Sequence, residues 1–166
     1  VEEINLPSGQ GAPIAVTKIE TRILTQGDFI VPHFVIHLEN KGNGAVFKRF
    51  NVVEKEGVEK RTDNVDIICS ADPLDPQAKD FNTIFVTAYL GPENDDNKLD
   101  CSPKKDENSD KGYVRLIGKK DTIRCHLTGE GISKNRGSYT TPLIINLDYG
   151  YTSTITKSYT IERSVV

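Results

Sequence analysis

Apolar and polar residues alternate along much of this chain with the two-residue period of a half-buried β-strand. The clearest run, residues 29–38, places Phe34 and Ile36 on one face and histidines on the other. Residues 14–24 alternate in the same way, but their phase changes near Thr17–Lys18. Such a change is typical of a β-bulge or of a strand that passes from one sheet to another.

Further strand-like runs follow, separated by turn-forming clusters of Gly, Asn, Asp and Pro. We expect two hairpins, one formed by residues 113–117 with 122–127 and one formed by 142–151 with 154–163. The remaining runs are residues 45–53, 65–69, 81–90 and 98–101. No segment shows helical periodicity over three turns, so the pattern predicts about eight or nine short antiparallel strands.

The composition supports this interpretation. The 166 residues include 16 Ile, 13 Val and 14 Thr against 10 Leu and 6 Ala, which favours strands and excludes a helical bundle. The length suits one domain. We therefore predict an all-β, antiparallel, immunoglobulin-like β-sandwich over residues 14–166, with a jelly roll or an open barrel as the alternative.

Residues 1–13 are predicted to form an extended N-terminal arm, because they contain two prolines and two glycines. The arm carries three apolar side chains, Val1, Ile4 and Leu6, which could lie against another surface. The chain begins with Val1 and contains no methionine, so we expect it to be a processed chain.

Charge and hydropathy exclude several classes of partner. The net charge is -3 and the mean hydropathy is -0.43. The chain has no basic stripe that would meet nucleic-acid phosphates. No apolar run approaches the ~20 residues of a membrane-spanning helix, so we expect neither a nucleic-acid partner nor a membrane span in this chain.

The three cysteines, Cys69, Cys101 and Cys125, allow at most one disulfide within the chain. Cys101 and Cys125 are the candidate pair, because each lies beside an extended run and the acidic loop lies between them. Closing that loop would contribute roughly 3–4 kcal/mol in the chain-entropy model. The alternative is three unrelated thiols. Cys69 follows an apolar run and is expected to be a buried, small apolar side chain.

Candidate metal ligands are present but poorly spaced. Asp95, Asp96 and Asp100 could furnish oxygen ligands for calcium, but the EF-hand pattern is absent and we expect a solvated loop without a cofactor. His33 and His37 have the i, i+4 spacing of a helical metal pair. On a strand they stand ~13 Å apart, which excludes joint chelation.

The usual catalytic motifs are missing, including the hydrolase elbow, the phosphate-binding loop and the zinc-binding helix. His126 follows Cys125 directly and points to the opposite face of the predicted strand, so the two do not form a catalytic dyad. We therefore expect a protein that is not an enzyme.

Three tyrosines near the end of the chain, Tyr149, Tyr151 and Tyr159, are either core and corner residues or a contact surface. The neighbouring Thr- and Ser-rich stretch, residues 152–160, would form a flat polar edge that can pair with another chain.

The stretch from Phe34 to Gly44 resembles the strand and N-x-G corner of immunoglobulin-like domains in archaeal and bacterial cell-surface proteins. The runs Ile14–Ile19 and Leu147–Tyr151 fit the same pattern. The group that the chain resembles is the adhesion-type module described as CARDB-like, and the similarity covers about half of the chain. It implies an immunoglobulin-like fold and a location outside the cell or at its surface, and it carries over no catalytic residue.

We therefore expect a non-enzymatic extracellular structural subunit that forms a homo-oligomer, filament or other surface polymer. The N-terminal arm would add as a strand to the next copy. The alternative is a monomeric binding or adhesion module of a larger cell-surface protein. Such a module would recognise a glycan or another surface protein through loops 91–112 and 128–140.

Overall fold

A computed structural model describes residues 2–10, 13–47, 82–138, 140–153 and 156–158 of the chain. These residues contain eleven β-strands and two single-turn 3₁₀ segments, and every pairing between the strands is antiparallel. The strands are β1 (Glu2–Gln10), β2 (Ile14–Gln26), β3 (Phe29–Asn40), β4 (Ala45–Phe47), β5 (Thr83–Leu90), β6 (Leu99–Ser102), β7 (Gly112–Arg115), β8 (Lys120–Leu127), β9 (Ile132–Ser133), β10 (Leu143–Asp148) and β11 (Gly150–Thr152).

The strands form one large and two small sheets. The large sheet has the order β1-β2-β3-β8-β6, with β9 beside one end of β3. The small sheets are β10-β5-β7 and β11-β4. Buried side chains from the large and small sheets meet in one apolar core, which confirms the predicted all-β, sandwich-like architecture. The core residues are Ile14, Val16, Phe34, Ile36, Leu38, Val46, Ile84, Val86, Ala88, Leu99, Cys101, Val114, Leu116, Ile123 and Cys125.

The two longest strands, β2 and β3, confirm the pattern in the sequence. Phe34, Ile36 and Leu38 all point into the core, and the alternate residues of β3 are half-buried on the outer face. The register between β2 and β3 shifts between Val16 and Lys18. The phase change in the sequence is therefore a β-bulge, which keeps apolar residues on the core side along most of the strand.

The predicted hairpin between residues 113–117 and 122–127 forms only at its turn, where one bridge joins Ile117 to Lys120, and the two strands do not pair beyond it. β7 pairs with β5, whereas β8 lies between β3 and β6 in the large sheet. Both runs turn their apolar residues toward the same core, but they do so from opposite sides. The connecting turn contains Gly118 and Lys119, both with positive φ, and it carries the chain from one sheet to the other.

The run 142–151 is divided between two strands in different sheets, β10 and β11. This division explains in part why the described residues contain eleven strands, more than the eight or nine predicted. Its predicted hairpin partner, 154–163, lies outside the described residues apart from 156–158. The predicted strand 65–69, Cys69 and most of the run 45–53 also lie outside them.

Candidate interaction surfaces

The N-terminal arm is an edge strand of the chain's own large sheet. β1 pairs with β2 in register from Glu2, opposite Thr21, to Asn5, opposite Lys18. Leu6 is half-buried and packs against the core, whereas Ile4 faces the core side but is 47% exposed. Val1 lies outside the described residues. Residues 2–10 therefore complete the edge of the sheet rather than extend away from it.

β1 and β2, the last two strands at one side of the large sheet, differ in how well they would resist pairing with another chain. β1 carries two acidic residues, Glu2 and Glu3, and Pro7 lacks a backbone N–H, all of which are features of protected edges. β2 is longer, contains no proline and is rich in β-branched residues. An uncovered strand of that kind pairs readily with a strand of another chain. β1 occupies the position beside β2 where such pairing would occur.

A row of charges lies on the outer face of the sheet, and one of its ion pairs joins β1 to β2. The Lys18 ammonium lies 3.1 Å from Glu3 on β1 and 2.9 Å from Glu20. Glu20 in turn lies 3.0 Å from Nε2 of His37 on β3. Lys18 first, and then His37, lower the pKa of Glu20, while Glu20 and then Glu3 raise the pKa of Lys18. Solvent reaches these partly exposed groups, so salt screens their attraction.

All three histidines of the chain lie on this outer face. His33 on β3 is directly opposite His126 on β8, and their rings stack with centroids 5.2 Å apart and an interplanar angle of 13°. Partial burial lowers the pKa of His33, and the charge of His126 lowers it further. The alternation in the sequence placed the histidines away from the core. It gave no sign of this pairing, because the register between β3 and β8 is set by tertiary packing.

The structure joins the candidate cysteine pair in a disulfide. Cys101 on β6 and Cys125 on β8 are direct neighbours in register, and their sulfurs are 2.09 Å apart. Both residues are buried in the core, with 3% and 1% of their surface exposed. The bond therefore links an edge strand of the large sheet to its interior.

The two described tyrosines near the end of the chain pack against the core. Tyr149 and Tyr151 are both half-buried. The Tyr151 hydroxyl accepts a hydrogen bond of 2.7 Å from the backbone N–H of Gly44, and a Cβ at Gly42 would overlap that hydroxyl. Tyr151 therefore acts as a corner residue that ties β11 to the turn after β3. A tyrosine contact surface stays a prediction, because Tyr159 lies outside the described residues.

The acidic loop does not bring the candidate calcium ligands together. Asp95 and Asp96 are exposed in a 3₁₀ turn, whereas Asp100 lies on β6 and forms an ion pair of 2.6 Å with Lys104. Within the part of the chain that the structure describes, no group of three or more His, Cys, Asp or Glu residues could hold a metal ion.

Comparison of the chain with protein-family models, with curated proteins and with solved structures finds no match. Over the described ranges, no helix is long and apolar enough to cross a membrane.

Proposed function

We propose that this chain is a non-enzymatic structural subunit that assembles with further copies of itself outside the cell. In the assembly, β1 of one copy takes the place beside β2 of the next. The observation that carries this proposal is the position of β1, which is an edge strand of the large sheet and is joined to β2 by only three residues. Exchange of an identical element between copies is a low-cost route to oligomers.

Among the side chains of β1 that the structure describes, few hold the strand in place, and their contacts are easily remade. Leu6 is the described side chain of β1 that packs against the core, and burying one such side chain stabilises a fold by roughly 1.5–3 kcal/mol at most. Ile4 is half exposed, and the Glu3–Lys18 ion pair lies in solvent. A second copy of β1 would offer the same hydrogen bonds, the same Leu6 contact and the same ion pair.

The segment between β1 and β2 is short, and it contains Gly11 and Pro13. Short hinge loops between paired elements favour domain swapping, because straightening them relieves a constrained turn. If each copy donates its β1 to the next and the ring does not close, the assembly grows as a filament.

The disulfide supports a location outside the cell. Buried, structural disulfides persist in oxidising compartments and are rare in the cytosol of most organisms. The bond between Cys101 and Cys125 lies in the core, where it acts on folding and not on redox chemistry at the surface. The resemblance to archaeal and bacterial cell-surface domains points in the same direction.

The test uses a cross-link that reports which copy supplies β1. Ile4 and Ile19 are direct neighbours in the β1–β2 register, so the double variant I4C/I19C can form a disulfide within a copy or between copies. The variant is made in a Cys69→Ser background and oxidised either as a dilute solution or after assembly. We expect covalent monomers in the first case and covalent dimers and ladders in the second, on a non-reducing gel.

Two results would overturn the proposal. Variant protein locked as a dilute monomer should not assemble, so assembly equal to that of the unlocked protein would exclude strand exchange. A matched control, the single variant I19C, should form no ladder through this position.

Deletion of residues 1–12 should also abolish ordered filaments. Disordered aggregation of that variant would show that the bare β2 edge is adhesive, and ordered filaments of normal shape would contradict the proposal.

The second candidate function is a monomeric binding or adhesion module of a larger surface protein. One observation favours it: in the structure β1 completes the sheet of its own chain. Loops 91–112 and 128–140 would then contact a glycan or a protein. Light scattering at high concentration separates the two candidates, because a single species of 18.4 kDa would favour the module.

A further inference from the structure

His33 and His126, here called the histidine pair, are held in place by the centre of the large sheet. β3 and β8 are neighbouring strands, and each has a further strand on its other side, β2 and β6. The backbone positions of the pair are therefore fixed by hydrogen bonding on both sides. Both side chains lie half-buried on the outer face, where solvent reaches them.

The spacing of the two rings suits a shared metal ion. An imidazole nitrogen binds Zn²⁺ at about 2.0–2.1 Å, so two rings on one tetrahedral ion have their centroids about 5 Å apart. The centroids of the histidine pair are 5.2 Å apart. We propose that His33 and His126 together bind a divalent transition-metal ion of the Zn²⁺ or Cu²⁺ class, with water in the remaining positions.

Binding requires a small side-chain movement. The rings stack at 13°, so their nitrogens do not yet point at a common centre. Rotation of one or both imidazoles about the Cβ–Cγ bond brings a nitrogen of each toward the space between them, while the strands stay in register. Torsions of this kind are broad and soft, so the rotation costs little.

Only a neutral imidazole can bind a metal ion. Burial and the neighbouring His126 lower the pKa of His33. Protons compete with the ion for the imidazoles, so we expect affinity to fall as pH falls.

The surrounding charges predict moderate affinity. Arg22 on β2 is opposite His33, and Arg124 lies on the same face of β8, so two guanidinium groups oppose a cation. Asp100 on β6 is opposite His126 and favours a cation, although it is paired with Lys104. No third protein ligand converges on the pair among the residues that the structure describes. Arg22→Gln should therefore strengthen binding.

The test is calorimetric titration of the full chain with Zn²⁺ at pH 7.5, in a Cys69→Ser background that removes the thiol outside the disulfide. We expect one saturable site whose affinity falls at least tenfold in His33→Gln and in His126→Gln. The third histidine supplies the matched control: His37 is bound to Glu20 on β2, so His37→Gln should change the affinity less than twofold.

A second measurement keeps the test independent of folding defects. Zn²⁺ should raise the melting temperature of the parent protein and of His37→Gln, and leave that of the two pair variants unchanged. Absence of a saturable site in the parent would overturn the proposal. Retention of parental affinity in either pair variant, or an equal loss in His37→Gln, would overturn it as well.

Discussion

Replacing Cys101 and Cys125 together by alanine should lower the free energy of unfolding by about 3.5 kcal/mol, as worked from the loop that the bond closes. The two residues are 24 positions apart. In the chain-entropy model, a loop of about 25 residues restricts the unfolded chain by roughly 12 cal/mol/K, which gives that free energy at 25 °C. The lost contacts of two buried sulfurs come in addition.

This loss is large relative to the whole stability of a domain, which is typically about 5–15 kcal/mol. For a protein of this length, it corresponds to a fall in melting temperature of roughly 10 °C. The measurement is equilibrium unfolding in urea, analysed by linear extrapolation. The urea dependence should also steepen, because an unfolded chain without the cross-link exposes more surface.

Cys69→Ala is the matched control, because it removes a cysteine outside the bond and leaves the loop closed. The entropic reasoning would be refuted if the double variant lost less than about 1 kcal/mol with an unchanged urea dependence. A loss of the expected size with no steepening would instead assign the stabilisation to packing of the sulfurs in the core.

Three further predictions concern other parts of the fold. Tyr151→Phe leaves the half-buried Gly44 N–H without its acceptor and should cost about 0.5–1.5 kcal/mol in urea unfolding. Gly112→Ala should cost about 1–3 kcal/mol in the same assay, because its Cβ would overlap core side chains of β6 and β8. The lowered pKa of Glu20 means that its carboxylate stabilises the fold above its ordinary pKa of 4.5, and that this contribution is lost as pH falls through the lowered value. Glu20→Gln should therefore lose less melting temperature than the parent between about pH 6 and pH 3.

The features that follow a local period could be predicted from the sequence. The alternation in β3 identifies its buried face, and the phase change in β2 identifies its bulge, because side-chain direction in a strand depends only on position along it. The alternation does not predict how deeply a side chain is buried. Ile23 alternates with the core residues of β2 but is 62% exposed, and it lies beyond Thr21, the last residue of β2 that pairs with β1.

Pairings between distant strands could not be predicted in this way. Tyr113 and its neighbours form a strand, as expected, but that strand pairs with β5 and not with β8. The same limit applies to His33 and His126, which are 93 positions apart and meet only because β8 lies beside β3. Periodicity gives the face of a residue, whereas the order and register of strands depend on which apolar faces share the core.

The proposed exchange of β1 also determines which changes can shift its equilibrium. A β1 from the same copy and a β1 from the next make identical contacts with β2, including the Leu6 contact and the Glu3–Lys18 ion pair. Weakening those contacts destabilises both forms equally, so Glu3→Gln should speed the exchange without changing the assembled fraction. The two forms differ in the hinge and in the number of free chains. The equilibrium between monomer and assembly therefore depends on protein concentration and on the linker, residues 11–13. A longer, flexible linker should favour the monomer, because it lets β1 reach its own β2 more easily.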